Sequence, residues 1–186
     1  MISRLINLGA RHASAAYATN MWAIANDDPA YPHVPHRPHP ANVEASYAHR
    51  LAGMFNCQLV NEAFPTDCAA TIAEKFDTLH AKYPDAYFLI EMPPSTEYNN
   101  AVELYNTVTE KTNACLFFNS ALSYSTEQNN GALGSRYYYP YEYKHTMLME
   151  LHAQGIAPKS VYTPYFNAAG HTAWARILRK IIEDKQ

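Results

Sequence analysis

Ala86-Tyr87-Phe88-Leu89-Ile90-Glu91-Met92 is an almost unbroken apolar run. Polar and apolar residues do not alternate in it, so neither face of a strand built from it meets water. A strand buried on both faces belongs to a parallel sheet covered by helices. The flanks agree. Asp67 is placed to cap a helix whose apolar stripe is Ile72, Phe76 and Leu79 and which ends before Pro84. Beyond the strand, Asn100 to Lys111 has helical spacing through Val102, Tyr105 and Val108, and Ala114 to Phe118 is a second apolar strand.

The same alternation extends outward. Ile2 to Leu8 reads as a short strand ending at Gly9, and the small and apolar residues from Ala13 to Ala25 fit a buried helix. Five prolines, Pro29, Pro32, Pro35, Pro38 and Pro40, forbid a ladder or helix across 27–42, which is an internal loop. Val43 to Phe55 follows as a helix with Val43, Tyr47, Leu51 and Met54 on one face, then Gln58 to Asn61 as a strand. A polar loop through Asn130 and Gly134 leads to a helix over Tyr141 to Gln154. Ser160 to Tyr162 is a short extended piece, and the last helix spans Gly170 to Asp184.

Strands and helices in strict alternation predict an α/β fold: a three-layer α/β/α domain over 1–186 with a doubly wound, flavodoxin-like parallel sheet. Such sheets take ligands at the carboxyl ends of their strands. Gly9-Ala10-Arg11, the segment after Asn61 and the segment after Met92 should gather there.

The chain has 186 residues, 48% of them hydrophobic, enough for a continuous core. A net charge of -3 gives no electrostatic case for nucleic acid or an anionic membrane. No apolar run approaches the roughly 20 residues of a membrane span. Arg11 and His12 interrupt the apolar start where a leader would need continuity, so a protein of the cytoplasm, or one released from a cytoplasm, is expected. Cys57, Cys68 and Cys115 are an odd number without metal spacing, and each adjoins an apolar segment, so buried free thiols are expected. Fifteen tyrosines against six glycines suit a surface that binds something.

Two segments at the chain's ends carry a resemblance. Leu5-Ile6-Asn7-Leu8-Gly9 runs into Ala10-Arg11-His12-Ala13-Ser14, and Tyr162-Thr163-Pro164-Tyr165-Phe166-Asn167 runs into Ala168-Ala169-Gly170-His171-Thr172-Ala173-Trp174-Ala175. Both resemble the first and last motif blocks of the SGNH (GDSL-like) hydrolases, especially the short bacteriophage type. Tyr47-Ala48-His49-Arg50-Leu51-Ala52 with Leu59-Val60-Asn61-Glu62-Ala63-Phe64-Pro65 is similar to the phage-type helix and second block, and Phe117-Phe118-Asn119-Ser120 also matches. The resemblance implies an SGNH-hydrolase-like fold and an ester-hydrolase ancestry.

The working residues depart from the family pattern. The nucleophile position is Arg11, the aspartate position Tyr162, the catalytic histidine position Tyr165 and the oxyanion glycine position Thr66. The third block, Glu91-Met92-Pro93-Pro94-Ser95, does not match. Ester hydrolysis in this family needs a serine activated by a histidine that an acid orients, with backbone N–H groups holding the oxyanion. Arg11 is always protonated and cannot attack. A tyrosine with a pKa of about 10 is a poor base near neutrality. Thr66 keeps its N–H, but its β-branch resists conformations glycine adopts freely.

Other candidates stand beside these. Ser14 and His171 could form a relocated pair, although on a helix position 14 lies about 300° around from position 11. The resemblance gives the Gly-His histidine a supporting role in the last helix. His33, His36 and His39 fall on one edge of an extended segment about 9 Å apart, too far to share an ion held at about 2 Å; no metal or cofactor is expected. Tyr137-Tyr138-Tyr139-Pro140-Tyr141-Glu142-Tyr143 is either a docking patch or the cover of a loop–helix junction. Arg11, His12, Tyr162 and Tyr165 should meet in the former cleft. There Arg11, His12 and Tyr165 could bind a carboxylate or phosphate, or Arg11 could pair with an acid such as Glu91 and fill the pocket.

Three functions remain. The first is a non-catalytic SGNH-like domain acting as a binding or structural component, with a protein partner or self-association. The second is an active carbohydrate esterase or deacetylase with an unusual serine constellation. The third is a small-anion binding module using Arg11.

Overall fold

The computed structural model describes residues 1–9, 44, 46–64, 67–92, 98–118, 137–138 and 168–185. The described elements, in chain order, are β1 (Arg4–Leu8), α1 (Tyr47–Phe55), β2 (Gln58–Asn61), α2 (Ala69–Lys82), β3 (Tyr87–Glu91), α3 (Tyr98–Thr109), β4 (Cys115–Phe118), β5 (Tyr137–Tyr138) and α4 (Ala168–Lys185). The strands form one five-stranded sheet in the order β2-β1-β3-β4-β5. Each neighbouring pair is parallel. The doubly wound α/β class read from the sequence is therefore the observed one, with its strand order reversing between β1 and β3.

Strand periodicity sorts the core into two layers. Leu5, Tyr87, Leu89, Leu116 and Phe118 face α1 and α4, where Tyr47, Leu51, Trp174, Leu178 and Ile182 meet them. Ile6, Leu8, Phe88, Ile90 and Phe117 face the other way onto Ile72 and Phe76 of α2 and Leu104 and Val108 of α3. All five residues of β3 are buried, which is why its sequence never alternates. Each Leu, Ile or Phe so buried contributes about 1.5–3 kcal/mol of transfer free energy.

Local chemistry sets the helix limits. Ser46 accepts the N–H of His49 at 3.3 Å and starts α1. Asn56 ends it in the left-handed region at φ 51°, a conformation Asn tolerates. Among the described residues the only positive-φ glycine is Gly9, at φ 141°. There the chain leaves β1 through a conformation that a side chain would strain.

Three expectations are corrected. Asp67 does not cap α2. The N-cap is Cys68, without a side-chain cap bond, because the Asp67 carboxylate turns back to accept from Phe64 N–H at 3.2 Å and Lys75 Nζ at 2.5 Å. Of the cysteines only Cys115 is buried; Cys57 is half-buried and Cys68 exposed, since the latter stands at the open start of α2. Tyr137–Tyr138 is not loop but the fifth strand, its backbone paired to Phe117 and Phe118. The helices expected at 13–25 and 141–154 and the loop 27–42 lie outside the described residues. No described helix is long and apolar enough to cross a membrane.

Candidate functional site

The carboxyl ends of β1 and β3 define the crevice that this strand order creates, the place where doubly wound sheets take their ligands. The last paired residues are Leu8 and Ile90, so Gly9 and Glu91 come next, side by side. Glu91 is 2% exposed. It lies two residues beyond Leu89 and so projects from the same face, toward α1. There the Tyr47 hydroxyl donates to Glu91 Oε2 at 3.3 Å. Tyr47 is fully buried, and burial together with the Glu91 carboxylate holds its phenol well above the usual tyrosine range.

His171, in the first turns of α4, reaches the same place from the opposite end of the chain. It is 1% exposed. Its Nδ1 accepts the backbone N–H of Tyr47 at 3.0 Å, and its ring stacks on the Tyr47 ring with centroids 5.6 Å apart. Phe118 closes the group edge-on to Tyr47 at 5.7 Å. Toward the sheet edge, Asn7 Nδ2 donates to Asn61 Oδ1 at 2.7 Å. These polar side chains sit at the carboxyl end of an otherwise apolar layer, which is where a site rather than a core would put them.

The loop after β2 is fastened to the same rim. Glu62 N–H donates to Asn7 O and Phe64 N–H to Gly9 O, each at 3.1 Å. Lys75 Nζ donates to Glu62 O at 2.8 Å and to Asp67. Asp67 is 8% exposed, so this ion pair is a tether rather than a solvated surface contact. At the end of the loop Cys68 is exposed, and the Thr71 hydroxyl and backbone lower its thiol below the ordinary range.

Arg11, His12, Ser14, Thr66, Tyr162 and Tyr165 lie outside the described residues, as do His33, His36 and His39. What is described is the framework these positions adjoin: Gly9 before Arg11, Phe64 and Asp67 around Thr66, and α4 after Tyr165. Of the outside candidates His171 is in view, with its Nδ1 already engaged by a backbone N–H. Glu91 was singled out in the sequence only as a possible partner for Arg11. Tyr47 was read as a core residue, and its hydroxyl contact could not be foreseen. Among the described residues no three His, Cys, Asp or Glu side chains gather as a metal site requires.

No protein-family model matches the chain, and no curated protein matches its sequence. Solved structures do match. The psychrotrophic esterase EstA from Pseudoalteromonas sp., in a form inhibited by monoethylphosphonate, aligns with TM-score 0.55 at 10% identity, over 98% of this chain and 95% of its own. A G-D-S-L family protein from Desulfitobacterium hafniense DCB-2 aligns with TM-score 0.53 at 12% identity, over 96% and 99%. LAE5, an alpha/beta hydrolase enzyme from the metagenome of Lake Arreo, Spain, aligns with TM-score 0.56 at 12% identity, over 97% and 95%. These likenesses span nearly whole chains, and at such identities what they establish is architecture: this chain has the α/β fold of those esterase and G-D-S-L structures.

Proposed function

We propose that this is an SGNH-hydrolase-like domain of the short bacteriophage type that has lost ester hydrolysis and serves as a binding or structural component, in a virion or in a host cytoplasm. The observation that carries the reading is the joint replacement at Arg11, Thr66, Tyr162 and Tyr165 inside sequence frames that otherwise match. The likeness to esterase structures supports the ancestry, and the replaced side chains argue against the reaction. A guanidinium, two phenols and a β-branched residue supply neither a nucleophile nor a base at neutral pH.

On this reading Arg11, with His12 and Tyr165, fills the former cleft or pairs there with an acid such as Glu91. A pocket refilled in this way binds through its rim, to a protein neighbour, to a second copy of the chain or to carbohydrate. If Arg11 is instead open to the crevice, the site is a small-anion module.

The test is turnover of short-chain p-nitrophenyl esters by the purified protein. The reading predicts none above background, for wild type and for Arg11→Ser alike, because the serine would still lack a base. Turnover abolished by Ser14→Ala would establish the esterase alternative instead. A thermal shift with phosphate or acetate, lost in Arg11→Ser, would select the anion-binding alternative.

A further inference from the structure

The polar contact between α4 and α1 is not needed to bury either helix. Trp174, Leu178, Ile181 and Ile182 already supply an apolar face to Leu51 and Ala52. His171 is added at its upper end. The N–H it accepts belongs to Tyr47, the first residue of α1 and therefore a donor with no partner inside its own helix. Ser46 takes the N–H of His49, so α1 is capped both by its own N-cap and by an imidazole 124 residues away. An Nδ1 that accepts carries no proton, which fixes the neutral ring as the tautomer protonated at Nε2. The same tyrosine then reaches β3 through its hydroxyl.

We propose that His171 is a positioning residue for Glu91: its imidazole locks the backbone and ring of Tyr47, and the Tyr47 hydroxyl in turn holds the Glu91 carboxylate on the α1 side of the crevice between β1 and β3. The inference rests on reading that crevice as the former active site. It links the last helix to the crevice floor by direct contacts, so that a change in the His171–Tyr47 bond is felt at Glu91.

Amide hydrogen exchange tests the first link. The first N–H of a helix ordinarily exchanges fast, whereas that of Tyr47 is expected to be protected. His171→Phe keeps a ring for stacking but no acceptor. It should speed Tyr47 exchange at least about tenfold, the equivalent of one hydrogen bond, while Leu51 and Phe88 keep their protection. His171→Asn, which returns an acceptor near the position of Nδ1, should recover much of the loss. The second link is read from the Tyr47 hydroxyl proton by NMR: its contact with Glu91 should be visible in wild type and in His171→Asn and lost in His171→Phe. Unchanged Tyr47 exchange, or an unchanged hydroxyl contact, in a folded His171→Phe overturns the proposal. If that variant does not fold, the imidazole 15N spectrum of the wild type decides, since a protonated Nδ1 overturns it and an unprotonated Nδ1 upholds it. None of these outcomes depends on ester turnover, so failure here leaves the lost-hydrolase reading standing, and the reverse.

Discussion

Removing one oxygen from the buried layer measures how much the crevice floor depends on its polar contact. Tyr47→Phe keeps the ring, the stack on His171 and the edge contact with Phe118, and deletes only the donor to Glu91. A hydrogen bond to a charged group is worth about 1.5–3 kcal/mol. At 3.3 Å the Tyr47–Glu91 contact is long, and the variant no longer buries a phenol hydroxyl, so the cost falls around the lower end of that range and partly below it, about 1–2 kcal/mol. For a chain of this size that corresponds to a fall in Tm of roughly 2–8 °C. Urea denaturation followed by circular dichroism gives the difference directly, with the m-value expected to stay constant. Glu91→Gln and the double variant complete a cycle, in which the two changes should be non-additive by at least about 0.5 kcal/mol. A Tyr47→Phe protein as stable as wild type, or a strictly additive cycle, would refute a working Tyr47–Glu91 bond.

Further outcomes follow from the same geometry. Gly9→Ala places a side chain at φ 141° and should cost about 1–3 kcal/mol. Gly53→Ala, in the exposed middle of α1 with nothing within 4 Å of an added Cβ, should gain about 0.5–1 kcal/mol; urea midpoints check both. Tyr47 and Tyr87 are raised by burial. Their protonated forms therefore contribute stability that is complete below the unfolded tyrosine pKa of about 10 and lost as pH climbs above it. Alkaline titration at 295 nm should show these two phenols ionising only as the fold is lost. Cys68, exposed and with its thiol lowered by Thr71, should be alkylated by iodoacetamide first and buried Cys115 last, as peptide mass mapping over time would show.

The strands were legible because their burial is written in composition. Gln58–Asn61 was read with its observed limits, and the apolar runs of β3 and β4 differ from the structure only at their ends. β5 was missed because two residues within a run of three tyrosines carry no period; their pairing with Phe117 and Phe118 is a long-range event. The Asp67 error has a similar cause. Cap rules see the next turn of chain, whereas Lys75, eight residues on, competes for the carboxylate. The Tyr47–Glu91 and Tyr47–His171 contacts join residues 44 and 124 positions apart, and no local pattern encodes them. The crevice could be located because a doubly wound sheet fixes where strand ends meet. Glu91 was named there as an acid that could face Arg11, but its contact with Tyr47 was not, because Tyr47 reads as part of the apolar face of its helix.

The central claim is that a hydrolase frame has been kept without its nucleophile. A related fold was captured in a form inhibited by monoethylphosphonate, and phosphonates report an activated hydroxyl irrespective of the substrate. Incubation with a fluorophosphonate followed by intact-protein mass measurement is thus the most direct trial. An unmodified mass is predicted for this chain. A single stoichiometric phosphonyl adduct on a serine of the native protein, absent after denaturation, would contradict it.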